Sequence, residues 1–175
     1  MPEEKQRRIV LVRHAKSDWP DVDDHDRPLA ERGRKAAPAA GRWLADHGLT
    51  PDLALVSTAV RTRQTWALMA AELPTEPETV YDERLYDIGL GEQLIALLTE
   101  TPDDVATLLV LGHNPVIHEA ADTLAGEAED DDQLARMQGR FPTAAIAVLA
   151  FRGSWRRVGP DAARLTAYRT PKDAA

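Results

Sequence analysis

Residues 11–17, LVRHAKS, decide the fold, because an apolar run stops there abruptly at the pair Arg13 and His14. Residues 9–12 are typical of a short buried strand, so the pair lies where a strand ends and a loop begins. Ligands of open α/β sheets bind at the carboxyl ends of the strands. An arginine fork suits phosphate oxygens, and a neighbouring histidine can act as a nucleophile or proton carrier. The pattern therefore predicts a phosphate site, although the dipeptide alone would more often be an ordinary surface pair.

Two later segments repeat this arrangement, in which an apolar run ends at a polar, cation-bearing loop. They are LALV at 53–56 followed by STAVRTRQT at 57–65, and LLVL at 108–111 followed by GHNP at 112–115. If the three strands are parallel neighbours, their loops lie on one edge of the sheet. Four side chains could then converge on one anion: Arg13, His14, Arg61 and His113.

Along the whole chain, apolar strands alternate with helical stretches, which predicts a mostly parallel sheet covered on both faces. Helices are expected at 29–46, 62–73, 91–99 and 115–124, and late strands at 143–151 and 164–168. Pro38 falls inside the first helix and is expected to kink it or shift its start. No linker or repeat divides the chain, so one domain is expected over residues 1–175.

Composition and charge exclude several classes of protein. The chain of 175 residues has no cysteine for a disulfide framework and no apolar run near the ~20 residues of a membrane helix. The start MPEEKQRR lacks the apolar segment of a signal peptide, so the expected location is the cytoplasm. A formal net charge of −8 argues against nucleic acid and anionic membranes as partners. The oligomeric state is left open.

Two features resemble metal sites but do not fit one. The acidic segment 21–26 would need glycine at the sixth place and an acidic ligand at the twelfth to bind calcium, and has Asp26 and Arg32 there. We expect a solvated loop in which Asp26 caps the following helix. His118 follows His113 by five residues rather than the four that favour a shared helix face. No metal and no cofactor are expected, and the acidic run 127–132 is expected to be exposed loop.

The ordered set of motifs resembles the histidine phosphatase superfamily, which has the phosphoglycerate mutase-like fold, and within it the SixA-type phosphohistidine phosphatases. The motifs are LVRHAKSDW at 11–19, DRPLAERGRKAA at 26–37, STAVRTRQT at 57–65, YDERLY at 81–86, LGHNP at 111–115 and FPTAAIAVLAF at 141–151. The family signature is more often Arg-His-Gly, whereas Ala15 here is typical of the SixA-like branch. The resemblance covers nearly the whole chain and implies a three-layer α/β/α sandwich with a mostly parallel central sheet.

The resemblance also implies a metal-independent phosphatase with a phosphohistidine intermediate. His14 would be the nucleophile, Arg13 and Arg61 would hold the phosphoryl oxygens, and His113 would donate to them in the transition state. The implied substrate is phosphohistidine in proteins, with a small phosphorylated metabolite as the alternative. Two less favoured interpretations of the function are a phosphoglycerate mutase-like transferase and a noncatalytic phospho-ligand binding protein.

Three further residues have weaker candidate roles. Glu83 lies where the mutase branch carries a catalytic glutamate, and is therefore a candidate acid for the leaving group. The competing interpretation is a surface glutamate paired with Arg84 or Arg63. Ser17 and Asn114 are candidate contacts of the phosphate or of the residues that hold it.

Overall fold

A seven-stranded sheet forms the centre of the computed structural model, which describes residues 4–174. The strands are β1 (Gln6–Arg13), β2 (Leu53–Val56), β3 (Glu78–Tyr81), β4 (Thr107–Gly112), β5 (Ala125–Ala128), β6 (Ile146–Arg152) and β7 (Ala163–Arg169). Their spatial order is β3-β2-β4-β1-β6-β7-β5. All the observed pairings are parallel except those of β6 with β1 and with β7. The expectation of a mostly parallel sheet is confirmed.

Helices cover both faces of this sheet. They are α1 (Glu31–Asp46), α2 (Val60–Ala70), α3 (Arg84–Asp87), α4 (Gly91–Leu98), α5 (Val116–Leu124) and α6 (Asp131–Gly139). Helices α1 and α2 share one hydrophobic core with the sheet, and α3 to α6 share another. This is the expected three-layer α/β/α sandwich. Within residues 4–174, no helix is both long and apolar enough to cross a membrane.

The side chains of β1 alternate between the two cores, as the pleat of a strand requires. Ile9 and Leu11 pack with α4 and α5, whereas Val10 and Val12 pack with α1 and α2. All four residues are fully buried. A strand buried on both faces has the continuous apolar sequence of residues 9–12.

Three strand ends meet at one edge of the sheet. In the parallel pair β1–β4, Arg13 lies opposite Gly112, and in the pair β2–β4, Val56 lies opposite Leu111. The loops that follow β1, β2 and β4 therefore begin at the same level. This register brings the three cation-bearing loops of the sequence together.

Some local expectations differ from the structure. Helix α1 begins at Glu31, two residues later than expected, and runs through Pro38, which cannot donate a backbone hydrogen bond there. The run 127–132 is not simply a loop, because it contains the end of β5 and the start of α6. The Asp130 side chain caps α6 by accepting hydrogen bonds from the backbone of Asp132 and Gln133.

The contact between α1 and α2 predicts the effect of Gly41→Ala. Alanine favours a helix over glycine by about 1 kcal/mol, but a Cβ at position 41 would overlap the carbonyl group of Met69. We expect overpacking to outweigh propensity and to lower the free energy of unfolding by about 1–3 kcal/mol. Urea denaturation measures this change. The control Gly139→Ala, where a Cβ meets open space, should not destabilise the protein; a stabilised Gly41→Ala variant would contradict the close packing.

Candidate active site

His14 follows β1 directly and is held at the sheet edge by its own backbone. Its N–H donates to the Gly112 carbonyl of β4 at 3.1 Å, and the residue is only 8% exposed. The ring Nδ1 lies 2.7 Å from the Ala15 carbonyl oxygen. Because a carbonyl oxygen can only accept, Nδ1 carries the proton and Nε2 keeps a free lone pair. His14 is thus presented as a neutral imidazole with one defined basic nitrogen.

The loop that carries His14 is fixed by contacts with α1 and α2. The Ala15 N–H donates to Thr65 Oγ1 at 3.1 Å, and that hydroxyl donates to the Arg61 carbonyl at 2.7 Å. Gly33 of α1 packs so closely on the Lys16 backbone that a Cβ would overlap it. The loop after β1 is therefore held rigidly beside the start of α2.

His113 follows β4 and lies next to His14, with 5.4 Å between the ring centroids. Its Nε2 is 2.7 Å from the Ser57 hydroxyl oxygen, whereas its Nδ1 is buried and has no partner among the described residues. If Ser57 donates to Nε2, the proton of the neutral ring is on Nδ1. That N–H then needs an acceptor, which a bound anion could supply.

Two arginines complete the group expected from the sequence. Arg61, in the first turn of α2, is 7% exposed and lies close enough to both imidazoles to lower their pKa values. Arg13, at the end of β1, donates from Nη1 to the Phe141 carbonyl at 3.2 Å, while its buried Nε has no partner among residues 4–174. The structure thus brings Arg13, His14, Arg61 and His113 together.

Burial keeps both imidazoles uncharged. It lowers the pKa of His14 to about 3, and the nearby His113, Arg61 and Arg13 add to this against the opposing hydrogen bond to Ala15. Burial, followed by Arg61, lowers the pKa of His113 to about 4. Desolvation and neighbouring positive charge both disfavour the imidazolium form. At neutral pH the positive charge of the site is therefore on the arginines.

Asp24 also belongs to this site, which the sequence did not predict. Its carboxylate accepts from Arg27 at 2.8 Å, from Arg61 at 3.1 Å and from the Tyr86 hydroxyl at 2.7 Å. The hydrogen bond from Tyr86, followed by those from the arginines, holds the pKa of this carboxyl well below its usual range. Asp24 is exposed, as the expectation of a solvated segment requires, but it lies in a 3-10 turn against α2 and its carboxylate is held by the hydrogen bonds above. The capping role of Asp26 is wrong, because Ala30 is the N-cap residue of α1.

Ser17 and Asn114 bind protein groups beside the site. The Ser17 hydroxyl accepts from Arg27 at 2.6 Å. The Asn114 amide donates to the Phe141 carbonyl at 2.8 Å, the same oxygen that Arg13 contacts. Ser17 therefore binds Arg27, and Asn114 binds the carbonyl group that also accepts a hydrogen bond from Arg13.

Glu83 lies just before α3, beyond the end of β3, with an exposed side chain. The arginines expected to pair with it have other partners. Arg84 binds Asp82 at 2.8 Å and Glu100 at 3.1 Å, and Arg63 lies over the Tyr81 ring. The Asp82 N–H donates to the Val56 carbonyl, so Glu83 lies at the same sheet edge as the two histidines.

The possible metal ligands are dispersed. His118 turns its Nε2 toward the Met137 carbonyl at 2.7 Å, and His25 Nε2 lies 2.9 Å from the Thr58 hydroxyl. Within residues 4–174, no group of three or more His, Cys, Asp or Glu side chains is arranged to hold a metal ion.

The buried imidazoles predict how stability depends on pH. The usual pKa of 6.5 applies to the unfolded chain, whereas the folded values are about 3 for His14 and about 4 for His113. Between these limits the unfolded state binds more protons, so the free energy of unfolding falls as the pH falls below 6.5. His113→Asn should make this fall less steep in urea denaturation. The exposed His47→Asn should leave it unchanged, and equal slopes for all three proteins would contradict the buried neutral state.

The chain resembles known proteins in both sequence and fold. The sequence model of the histidine phosphatase superfamily (branch 1) matches residues 9–101. The uncharacterized protein Rv1276c of Mycobacterium tuberculosis is 42% identical over 163 residues, which cover 92% of this chain and 100% of that protein. A solved structure from Nakamurella multipartitia, provisionally assigned as the phosphohistidine phosphatase SixA, is 33% identical with a TM-score of 0.81.

The Nakamurella alignment covers 97% of this chain and 99% of that one. The protein histidine phosphatase SixA in complex with tungstate is 20% identical, with a TM-score of 0.71 over 96% of this chain and 99% of that one, and shares the fold. The family match spans the loops that hold Arg13, His14 and Arg61, and each of the two relatives above 30% identity covers more than nine-tenths of this chain. The chain therefore belongs to the histidine phosphatase superfamily, in its SixA-type branch.

Proposed function

We propose that this histidine phosphatase removes the phosphoryl group from phosphohistidine side chains of proteins, through a covalent phosphoenzyme on His14 and without a metal ion. The observation that carries the proposal is the neutral His14, whose Nδ1 proton is held by the Ala15 carbonyl so that Nε2 can attack. The likeness to a SixA structure supports phosphohistidine as the substrate.

In the first step, His14 Nε2 attacks the phosphorus atom in line and the bond from phosphorus to the substrate imidazole breaks. The leaving imidazole keeps the electron pair of that bond and departs neutral when its ring already carries a proton. In the second step, water attacks the phosphorus of phospho-His14, the bond to Nε2 breaks, and inorganic phosphate leaves. His14 is regenerated as a neutral imidazole.

The cations around His14 stabilise the charge on the transferred phosphoryl oxygens. Arg13 offers its unpartnered Nε–H, and Arg61 still has free donors, because Asp24 engages only its two terminal nitrogens. His113 donates its buried Nδ1–H to a phosphoryl oxygen while Ser57 holds the ring through Nε2. These fixed charges supply the stabilisation for which other phosphatases use metal ions.

Asp24, Ser17 and Asn114 act as positioning residues in this proposal. Asp24 holds the guanidinium of Arg61, and through Arg27 it is linked to Ser17 in the loop after β1. Asn114 shares the Phe141 carbonyl with Arg13. Each fixes the direction of a cation rather than contacting the substrate.

The phosphoenzyme can be trapped directly. Acid-labile, base-stable label should be retained when the protein is mixed with a labelled phosphohistidine protein in the presence of EDTA and quenched with alkali. His14→Asn should retain none and lose nearly all turnover, because no neighbour can replace the nucleophile. His47→Asn, which changes an exposed histidine, should retain label as the wild type does. Label on the His14→Asn variant, or loss of label with EDTA, would contradict the mechanism.

Glu83 is proposed as the acid for leaving groups that need a proton. An alkoxide must gain a proton as it departs, whereas a phosphorylated imidazole can be protonated before the attack. Glu83→Gln should therefore slow hydrolysis of an alkyl phosphomonoester by about 100- to 10,000-fold and that of a phosphohistidine protein far less. Measured kcat values for the two substrates give this ratio.

The matched control is Glu78→Gln, which changes another exposed glutamate, at the opposite end of β3. It should leave both rates unchanged. Equal small losses on both substrates for Glu83→Gln would show that the residue has no acid role. Equal large losses would show that it shapes the pocket instead.

A further inference from the structure

A cleft of about 900 Å³ lies beside the active site and includes Arg13 in its lining. Its walls come from the loop after β1, helices α1 and α6, the segment before β6 and the end of the chain after β7. Six cationic side chains line it: Arg13, Lys16, Arg32, Arg136, Arg140 and Lys172. We call this cleft the basic groove. Arg13 also belongs to the active site, so the groove continues directly from the place where the phosphoryl group would bind.

The charge of the basic groove is opposite to that of the whole protein. The chain has a formal net charge of −8, yet Asp173 is the one carboxylate among the residues that line the groove. Asp173 is already bound by Arg136 at 2.9 Å and by the Thr170 N–H at 2.8 Å. The remaining cations are therefore not neutralised by the groove itself, and they focus a positive potential there.

A buried arginine, Arg169, shares the one carboxylate of the groove, because Asp173 lies close enough to act on its pKa. Arg169 lies between Tyr168 and Thr170, which both line the groove, and it is only 2% exposed. None of its three guanidinium nitrogens has a hydrogen-bond partner within the described part of the chain. Asp173 is therefore the shared counter-ion of Arg136 and Arg169, and less of its charge remains to offset the other cations of the groove.

The shape and lining of the groove favour a polypeptide segment over a compact polyanion. Lys16, Arg32, Arg140 and Lys172 are exposed and come from separate chain segments, so they form a rim. Between them lie apolar side chains that stay at least partly exposed, namely Ala36, Ala135, Pro142 and Pro171. Acidic side chains of a peptide could meet the rim while its apolar ones pack on the floor.

We propose that the basic groove binds an acidic segment of the phosphorylated substrate protein, next to its phosphohistidine. The inference rests on the proposed function. It adds that the protein selects substrates with acidic residues beside the phosphohistidine. The phosphoryl group enters the site of His14, and the flanking acidic chain lies along the rim beyond Arg13. Rim charges of this kind act mainly on the rate of association, and salt screens them.

Two short phosphohistidine peptides test the proposal, one with glutamates beside the phosphohistidine and one with glutamines in their place. The wild type should have a kcat/KM for the acidic peptide about tenfold above that for the neutral one at low salt, and less at high salt. The double variant Arg32→Glu with Lys172→Glu should abolish this preference. Its kcat/KM for p-nitrophenyl phosphate, which has no flanking chain to lie along the rim, should stay at the wild-type value.

The matched control is Lys5→Glu with Arg156→Glu, which makes the same change in net charge at the opposite edge of the sheet, on exposed side chains. It should keep the preference. A preference that is absent in the wild type, that survives in the groove variant, or that is lost equally in the control would overturn the proposal. Competition by tripolyphosphate but not by polyglutamate, abolished in the groove variant, would also overturn it and assign a small polyanion to the groove.

The same measurements distinguish an incorrect proposed function from an incorrect groove proposal. If the protein hydrolyses p-nitrophenyl phosphate but neither peptide, phosphohistidine is not the substrate, and the inference built on it fails as well. If both peptides are hydrolysed at equal rates, the proposed function stands and only the groove proposal is overturned.

Discussion

The parallel pairing of β1 with β4 is the constraint on which the rest of the structure depends. It places Arg13 opposite Gly112 and lets the His14 N–H bind the Gly112 carbonyl, so the two histidines emerge side by side. The pairing of β2 with β4 then brings Ser57 and Arg61 to the same level. A shift of one residue in either register would turn every side chain of a strand to the other face and separate these groups.

Burial of the site has an electrostatic consequence that suits its proposed chemistry. A histidine on the surface would be partly protonated near neutral pH, and its lone pair would then be unavailable. Here the apolar surroundings and the arginines lower the pKa values of both imidazoles to about 3 and about 4. The arginines stay charged because guanidinium cannot be deprotonated under ordinary conditions. The same group of residues thus combines neutral imidazoles with fixed positive charge.

The fold and four site residues could be predicted because their signals are local. The end of β1 can be predicted because an apolar run is followed at once by Arg13 and His14. The end of β4 can be predicted in the same way from Gly112 and His113, without knowledge of the rest of the sequence. Ser57 could have been found by the same rule, since it is the first residue after β2. Asp24 could not, because its role arises from contacts with Arg61 and Tyr86, which are 37 and 62 residues away. The basic groove was missed for the same reason, as its cations come from four separate parts of the sequence.

Asp24 gives Arg61 an anionic neighbour before any substrate arrives. This carboxylate offsets part of the positive charge of Arg61, so Arg61 attracts a phosphate less strongly than an unpaired arginine would. A site built only of unpaired cations would hold inorganic phosphate tightly and would release it slowly. In the proposed mechanism, an Arg61 that is bound to Asp24 at 3.1 Å would orient the phosphoryl group and hold the product less tightly than an unpaired arginine, which would shorten the residence time of phosphate.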